Sequence, residues 1–93
     1  MISRISDLRV LQAQQHGRIV GLPKTFAEEV AALADFLIDC HLWSDVTLPF
    51  EGEIVGCGPG RWRVPVAAGW WLMFDWIQRF GPVELQLWHE DDG

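Results

Sequence analysis

The chain has 93 residues, of which 49% are hydrophobic and 22% are charged, and its formal net charge is −6 at pH 7. This length predicts one domain, 1–93, and excludes a second core. The acidic balance argues against a protein whose affinity comes mainly from phosphate contacts, because such proteins carry an excess of Lys and Arg. No apolar run reaches the ~20 residues of a membrane span, so no membrane association is predicted.

Two helices are predicted in the helical part of the domain, residues 1–42. The first runs from Ser3 to His16, with Ser3 or Ser6 as its N-cap, Asp7 in its first turn and Gly17 as its stop. Its thin apolar face is expected to contain Ile5, Leu8, Leu11 or Gln12, and Gln15, with Val10 beside them.

The second helix shows the stronger pattern. Thr25 and Glu28 have the spacing of a capping box, in which Thr25 is the N-cap, and the helix should end near His41 or Leu42. Apolar side chains recur at steps of three and four, which predicts a buried face formed by Phe26, Val30, Leu33, Leu37 and Cys40.

The sheet part, residues 43–93, begins with an irregular segment. Val46–Leu48 and Glu53–Val55 are predicted to be short extended pieces, and the glycines around Cys57 predict a turn. The sequence has no export signal, so both cysteines are expected to be reduced thiols in the cytoplasm. No metal site and no cofactor is predicted, because the following residues lack ligand spacing: Cys40, His41, Cys57 and His89.

Residues 60–89 contain three apolar runs separated by turn residues, which predict a three-stranded antiparallel meander. The second run is apolar on both faces and should be the central strand, while Pro65 marks the first run as an edge or a bulge. In the third run, Val83, Leu85, Leu87 and His89 should share one face. The predicted fold class is therefore α+β, with two N-terminal helices packed on a small antiparallel sheet; the sheet face that the helices cover stays open.

Five residues of this meander are candidates for a functional site. Arg61 and Arg63 share a strand face and could hold a phosphate or a carboxylate, or form a solvated face paired with an acidic neighbour, Glu84. His89 could act as a general base, because an imidazole exchanges protons near neutral pH, or be a strand-end residue without a role. Trp71 and Trp88 could stack on bases, anchor a protein partner, or belong to the core.

Three segments of the meander, Gly60–Val64, Gly69–Phe74 and Val83–His89, stand where HigB-type toxins have a Gly-x-x-(x)-Val strand, a Trp-Arg-(Leu/Val)-x-Phe strand and a final Val-(Asp/Glu)-x-x-Asp-Tyr-His. The chain thus resembles the RelE/ParE superfamily, chiefly over residues 60–89. This resemblance implies a RelE-like fold and an mRNA-cleaving toxin of a type II toxin–antitoxin system, neutralised by an antitoxin. It places catalysis on His89, Arg63 and Arg61, with RNA as the substrate.

The chain departs from the family pattern at several polar positions. Trp88, Leu87 and Trp71 stand where the family has Tyr, Asp and Arg, and the only Lys is Lys24. These replacements suggest an alternative function, a non-catalytic acidic inhibitor, phage- or plasmid-encoded and anti-CRISPR-like, that binds a host nucleic-acid-handling complex. A third hypothesis is a structural module in which two copies form a homodimer through the first strand of the meander.

Overall fold

The computed structural model describes residues 4–67 and 69–92. Within these ranges the chain is α+β, as predicted, with helices on one face of an antiparallel sheet. Its helices are α1 (Leu8–His16), α2 (Lys24–Ile38), α3 (Trp43–Thr47) and a 3₁₀ turn, η1 (Glu90–Asp92). None of these helices combines the length and the apolar composition needed to cross a bilayer.

The sheet has four strands in this region, rather than the predicted three. In chain order and in space they are β1 (Val55–Gly58), β2 (Arg61–Ala67), β3 (Trp70–Ile77) and β4 (Gly81–His89). The predicted turn around Cys57 is confined to residues 59–60, because the preceding residues, Cys57 among them, form β1, which pairs with β2. Glycine has a low strand propensity, but it fits here because a Cβ on Gly56 would lie only 3.2 Å from the Trp62 ring.

The first helix begins later than predicted. Residues 4–6 are not helical: Ile5 forms a parallel bridge to Leu85 of β4. Asp7 is the N-cap, and its carboxylate accepts hydrogen bonds from the backbone N–H of Arg9 (2.9 Å) and of Leu87 (3.0 Å). Gly17 ends the helix at φ 68°, as predicted.

The buried face of α1 also differs from the prediction. It consists of Val10 and Ala13, whereas Leu8 is 66% exposed and Gln15 is exposed. The pairing of Ile5 with β4 sets the position of the helix, and this long-range contact overrides the weak apolar pattern of the sequence.

The α2 helix starts at Lys24, so Thr25 is inside the first turn and the predicted capping box is wrong. Pro23 precedes the helix, and its carbonyl accepts the N–H of Ala27 (3.1 Å). The helix ends at Ile38, before the predicted His41 or Leu42. Its predicted apolar face is largely confirmed: Phe26, Val30, Leu37 and Cys40 are buried, and Leu33 is partly buried.

Val46–Leu48, predicted to be extended, lies in and just after α3. The Asp45 carboxylate accepts the backbone N–H groups of Leu42 (3.0 Å) and His41 (3.2 Å). Hydrogen bonds from these two groups lower the pKa of Asp45, that from Leu42 most strongly. This local capping starts a helical turn that strand propensity alone would not predict.

The helices cover the sheet face that carries Val64, Leu72, Phe74, Leu85 and Leu87, all of them buried. Tryptophan rings border this core. Trp70 packs on Phe26 of α2 at 5.5 Å between ring centroids. Trp43 of α3 packs on Trp62 and Trp76 at 4.8 and 5.1 Å. Packing of α2 and α3 therefore decides which face is covered, a choice that the alternating pattern leaves open.

A bulge in β4 breaks the predicted alternation of that strand. Met73 pairs with Gln86 but Asp75 pairs with Val83, so β4 contains one extra residue. The bulge includes Glu84 at φ 58°. As a result Val83 faces the same side as Asp75 and lies outside the main core cluster, and the predicted common face of Val83 with Leu85, Leu87 and His89 is wrong for Val83.

We expect Arg79→Gly to stabilise the protein by about 0.5–1 kcal/mol. Arg79 lies in the β3–β4 turn at φ 71°. The turn is closed by the N–H of Phe80 on the carbonyl of Ile77 (3.0 Å), and a left-handed third residue is typical of a glycine-containing type II turn. Urea unfolding would measure the gain. Arg79→Ala is the matched control, since it shortens the side chain without relieving the strain of the positive φ. An equal gain in stability from Arg79→Ala would contradict this explanation.

Candidate functional site

The sheet face opposite the helices is called here the open face. It carries two arginines and two tryptophans among the candidate residues, together with shorter side chains of β3 and β4. Trp71 and Trp88 pair directly across the β3–β4 ladder, so their side chains project from the same side. The helices pack on the other side, and both indoles are consequently only partly buried. The open face is defined by Arg61, Arg63, Trp71, Met73, Asp75, Gln86 and Trp88.

Arg63 contacts both tryptophans of the open face. Its guanidinium carbon lies 4.8 Å from the centroid of the Trp71 ring and 4.7 Å from that of Trp88. Such contacts are attractive because the ring face is electron-rich, and they hold the planar cation in one orientation. The Nε atom of Arg63 is buried and has no hydrogen-bond partner among the described residues. A buried donor without a partner is unusual in a folded protein.

Arg61 lies on the same face, but Asp75 neutralises its charge. The Arg61 Nε donates to Asp75 Oδ1 at 2.9 Å. This hydrogen bond, together with the attraction of the two charges, raises the pKa of Arg61. The acidic neighbour is thus Asp75 rather than Glu84, whose charge acts on Arg61 only at a distance. Of the two arginines, Arg63 is the one that has no ion-pair partner within the described residues.

The acidic end of the chain contacts the open face. The Trp71 Nε1 donates to Glu90 Oε1 at 3.1 Å. Glu90 belongs to η1, directly after β4, and its backbone N–H is bonded to the carbonyl of Gly69 (3.0 Å). These contacts tie one edge of the indole and limit its rotation.

His89 lies on the other side of the sheet. It pairs across the ladder with Trp70, and the two rings meet edge to face at 4.7 Å on the side that packs against α2. Its Nδ1 accepts the backbone N–H of Asp91 at 3.2 Å. The same Nδ1 also lies 3.6 Å from the Asp91 carboxylate. The structure brings Arg61, Arg63, Trp71 and Trp88 together and separates His89 from them.

Neither cysteine is placed as a nucleophile. Burial and, secondarily, the carboxylates of Asp45 and Asp39 raise the pKa of Cys40 to about 11. Burial also raises the pKa of Cys57, although Arg63 and Arg61 lie close enough to oppose this effect. Within the described residues, no three His, Cys, Asp or Glu side chains come together as a metal site.

Two residues of the site, Asp75 and Glu90, were not among the candidates from the sequence. The alternation places Asp75 on the strand face of Trp71, but it does not specify which residue of β2 lies opposite Asp75. A bulge between Pro65 and Ala67 moves the register by one residue and brings Asp75 opposite Arg61. Since a one-residue slip reverses every facing pair, the sequence pattern alone does not identify this ion pair.

No protein-family model matches this chain, and the comparison with curated proteins returned no match to its sequence.

Proposed function

We propose that this protein is a non-catalytic interaction protein that binds a protein partner through the open face. The observation that carries the proposal is the Arg63 guanidinium in contact with both Trp71 and Trp88 on a sheet face that no described helix covers. Trp and Arg dominate the binding energy of many interfaces, because they combine a large contact area with directed hydrogen-bond donors. The Arg63 guanidinium, on a side chain that is only partly buried, can donate hydrogen bonds to a carbonyl or carboxylate oxygen of the partner.

The net charge of −6 supports a partner with a basic surface. Long-range attraction between opposite net charges raises the association rate, while a central aromatic cluster supplies most of the affinity. A nucleic-acid-handling complex of the cytoplasm has such a surface. In this proposal the chain keeps a RelE-like arrangement, with helices on one sheet face, and uses the other face to block its partner, in the manner of an anti-CRISPR protein.

A ribonuclease toxin is the second candidate function. The observation that favours it is that Arg61, Arg63 and Trp88 share one open face, where they could hold a phosphate and stack on a base. The placement of His89 on the opposite side, with Nδ1 bonded to Asp91, speaks against it. Arg61 is in addition occupied by Asp75. Its site would therefore lack a general base, which is why the interaction function is preferred.

The binding proposal is tested by affinity capture from RNase-treated bacterial lysate, followed by calorimetry with the purified partner. We expect Trp88→Ala and Arg63→Ala each to weaken binding by at least about 30-fold, equivalent to ~2 kcal/mol for a central interface residue. Val20→Ala is the matched control, since Val20 is an apolar side chain that is 89% exposed outside the sheet. The affinity of this variant for the partner should stay within about twofold of the wild-type value. Equal losses from all three variants, or none, would contradict the proposal.

The two candidate functions are separated by induced expression in bacteria. The interaction function predicts no cleavage of transcripts and the same growth for the wild type and His89→Ala. Growth arrest with cleaved mRNA, abolished by Arg63→Ala, would support the toxin instead. A captured partner that is an antitoxin would point the same way, so its identity by mass spectrometry belongs to the same experiment.

A further inference from the structure

An apolar cleft of about 530 Å³ opens between α2 and the end of β2. Phe36 of α2 is 37% exposed at the cleft, and its ring meets that of Phe50 at 6.0 Å. Leu48, close in sequence to Phe50, is 73% exposed. The cleft is lined by Leu33, Phe36, Pro49, Phe50, Pro65 and Val66. Side chains from three separate parts of the chain thus form one concave apolar surface of the kind that receives anchor residues.

The neighbouring strand edge restricts what can bind there. The pairing of β1 with β2 ends at Val55 and Arg63, so the remainder of β2 has no neighbour on that side within the described residues. Pro65 lies in this stretch and offers no N–H to an added strand. An extended peptide would therefore gain few backbone hydrogen bonds. A helix needs none from its receptor and places apolar side chains at steps of three and four into a groove.

Charge indicates the nature of that helix. Glu29 lines the cleft and is exposed, and Glu28 precedes it on α2. Glu51 and Glu53, also exposed, follow directly after the cleft residue Phe50. The cleft thus has one acidic side chain in its lining, and the other three glutamates lie within three residues of lining residues in the sequence. A second copy of this chain would bring another net charge of −6 to the same place, whereas a basic segment would be attracted.

We propose that this cleft binds the apolar face of a basic amphipathic helix of a partner protein. Its apolar residues insert beside Phe36 and Phe50, and its Lys or Arg residues face Glu29 and the glutamates after Phe50. The cleft is a second binding surface, and its existence does not depend on the function proposed for the open face.

The probe is a labelled 18-residue Leu/Lys peptide with apolar residues at helical spacing, compared with a scrambled peptide of the same composition. Backbone amide chemical shifts of the ¹⁵N-labelled protein locate the site, and fluorescence anisotropy gives the affinity. We expect shifts at Leu33, Phe36 and Phe50, with the scrambled peptide bound at least about tenfold more weakly.

Variants of the full chain separate the cleft from its alternatives. Phe36→Ala and the exposed charge reversal Glu29→Lys should each weaken binding of the helical peptide by at least about fivefold, and Trp88→Ala should leave it unchanged. Equal binding of the scrambled peptide, shifts that map to the open face, or unchanged affinity of both cleft variants would overturn the proposal. So would a dimer in sedimentation equilibrium that Phe36→Ala dissociates, because the cleft would then be occupied by a second copy.

Discussion

Gly81→Ala should destabilise the protein by at least about 3 kcal/mol, or prevent it from folding. Gly81 begins β4 at φ 109°, a conformation that residues with a Cβ rarely adopt. An added Cβ would also overlap the backbone carbonyl oxygen of Cys40, which is part of the main chain and cannot rotate away. Cys40 is itself buried, and its N–H is bonded to the carbonyl of Leu37 (3.0 Å). The helix end and the strand start would both have to move.

Gly52→Ala is the matched control for this substitution. Gly52 has a similar positive φ of 80°, but no atom lies within 4 Å of its added Cβ. Gly52→Ala should therefore lower the free energy of unfolding only through the backbone strain that the added Cβ causes, by about 1 kcal/mol. Urea unfolding followed by tryptophan fluorescence measures both variants. If the two lose the same free energy of unfolding, the close approach of β4 to Cys40 does not exist.

Asp7→Ala should lower the free energy of unfolding by about 2–4 kcal/mol. The Asp7 carboxylate caps α1, accepts the N–H of Leu87 and forms a two-point contact with the Arg9 guanidinium, the shortest distance being 2.9 Å. Its side chain is only 13% exposed, so truncation leaves the strand N–H without this acceptor and removes a charge partner of Arg9. Glu28→Ala, at an exposed pair whose atoms are 4.0 Å apart, should cost less than about 0.5 kcal/mol.

The same carboxylate predicts a dependence of stability on pH. Burial raises the pKa of Asp7, but hydrogen bonds from the Arg9 side chain and from the backbone of Arg9 and Leu87 outweigh it, so the pKa is lowered overall. The folded state thus favours the charged form. Its contribution is complete above the unfolded pKa of about 3.9 and disappears as the pH falls through the lower pKa of the folded state.

Unfolding of the wild type and of Asp7→Asn between pH 7 and pH 2 tests this dependence. Their difference in stability should be constant from pH 7 to about pH 5 and should shrink below about pH 4. A difference that grows with acid would mean that Asp7 is stabilised in its protonated form, and would contradict the hydrogen-bond arrangement described here.

The candidate site is partly predictable from the sequence. Residues that alternate along one strand share a face whatever the rest of the chain does, so the alternation alone places Arg61 and Arg63 on the same side of the sheet. Trp71 and Trp88 are on different strands, and their meeting depends on the β3–β4 register. The prediction that His89 acts together with the arginines depends only on the family resemblance. That resemblance does not specify on which sheet face each side chain lies in this protein.

The sequence by itself determined the α+β class, the apolar face of α2, the stop at Gly17 and the alternating faces of β2 and β3. These depend on periodicity and on single-residue backbone preferences, which act over a few neighbours. The tertiary structure alone decided that the helices cover the Val64 and Leu72 face, that the bulge at Glu84 turns Val83 away from it, and that His89 is separated from Arg63. Each of these depends on packing or register between distant segments, and a single extra residue in a strand reverses the outcome.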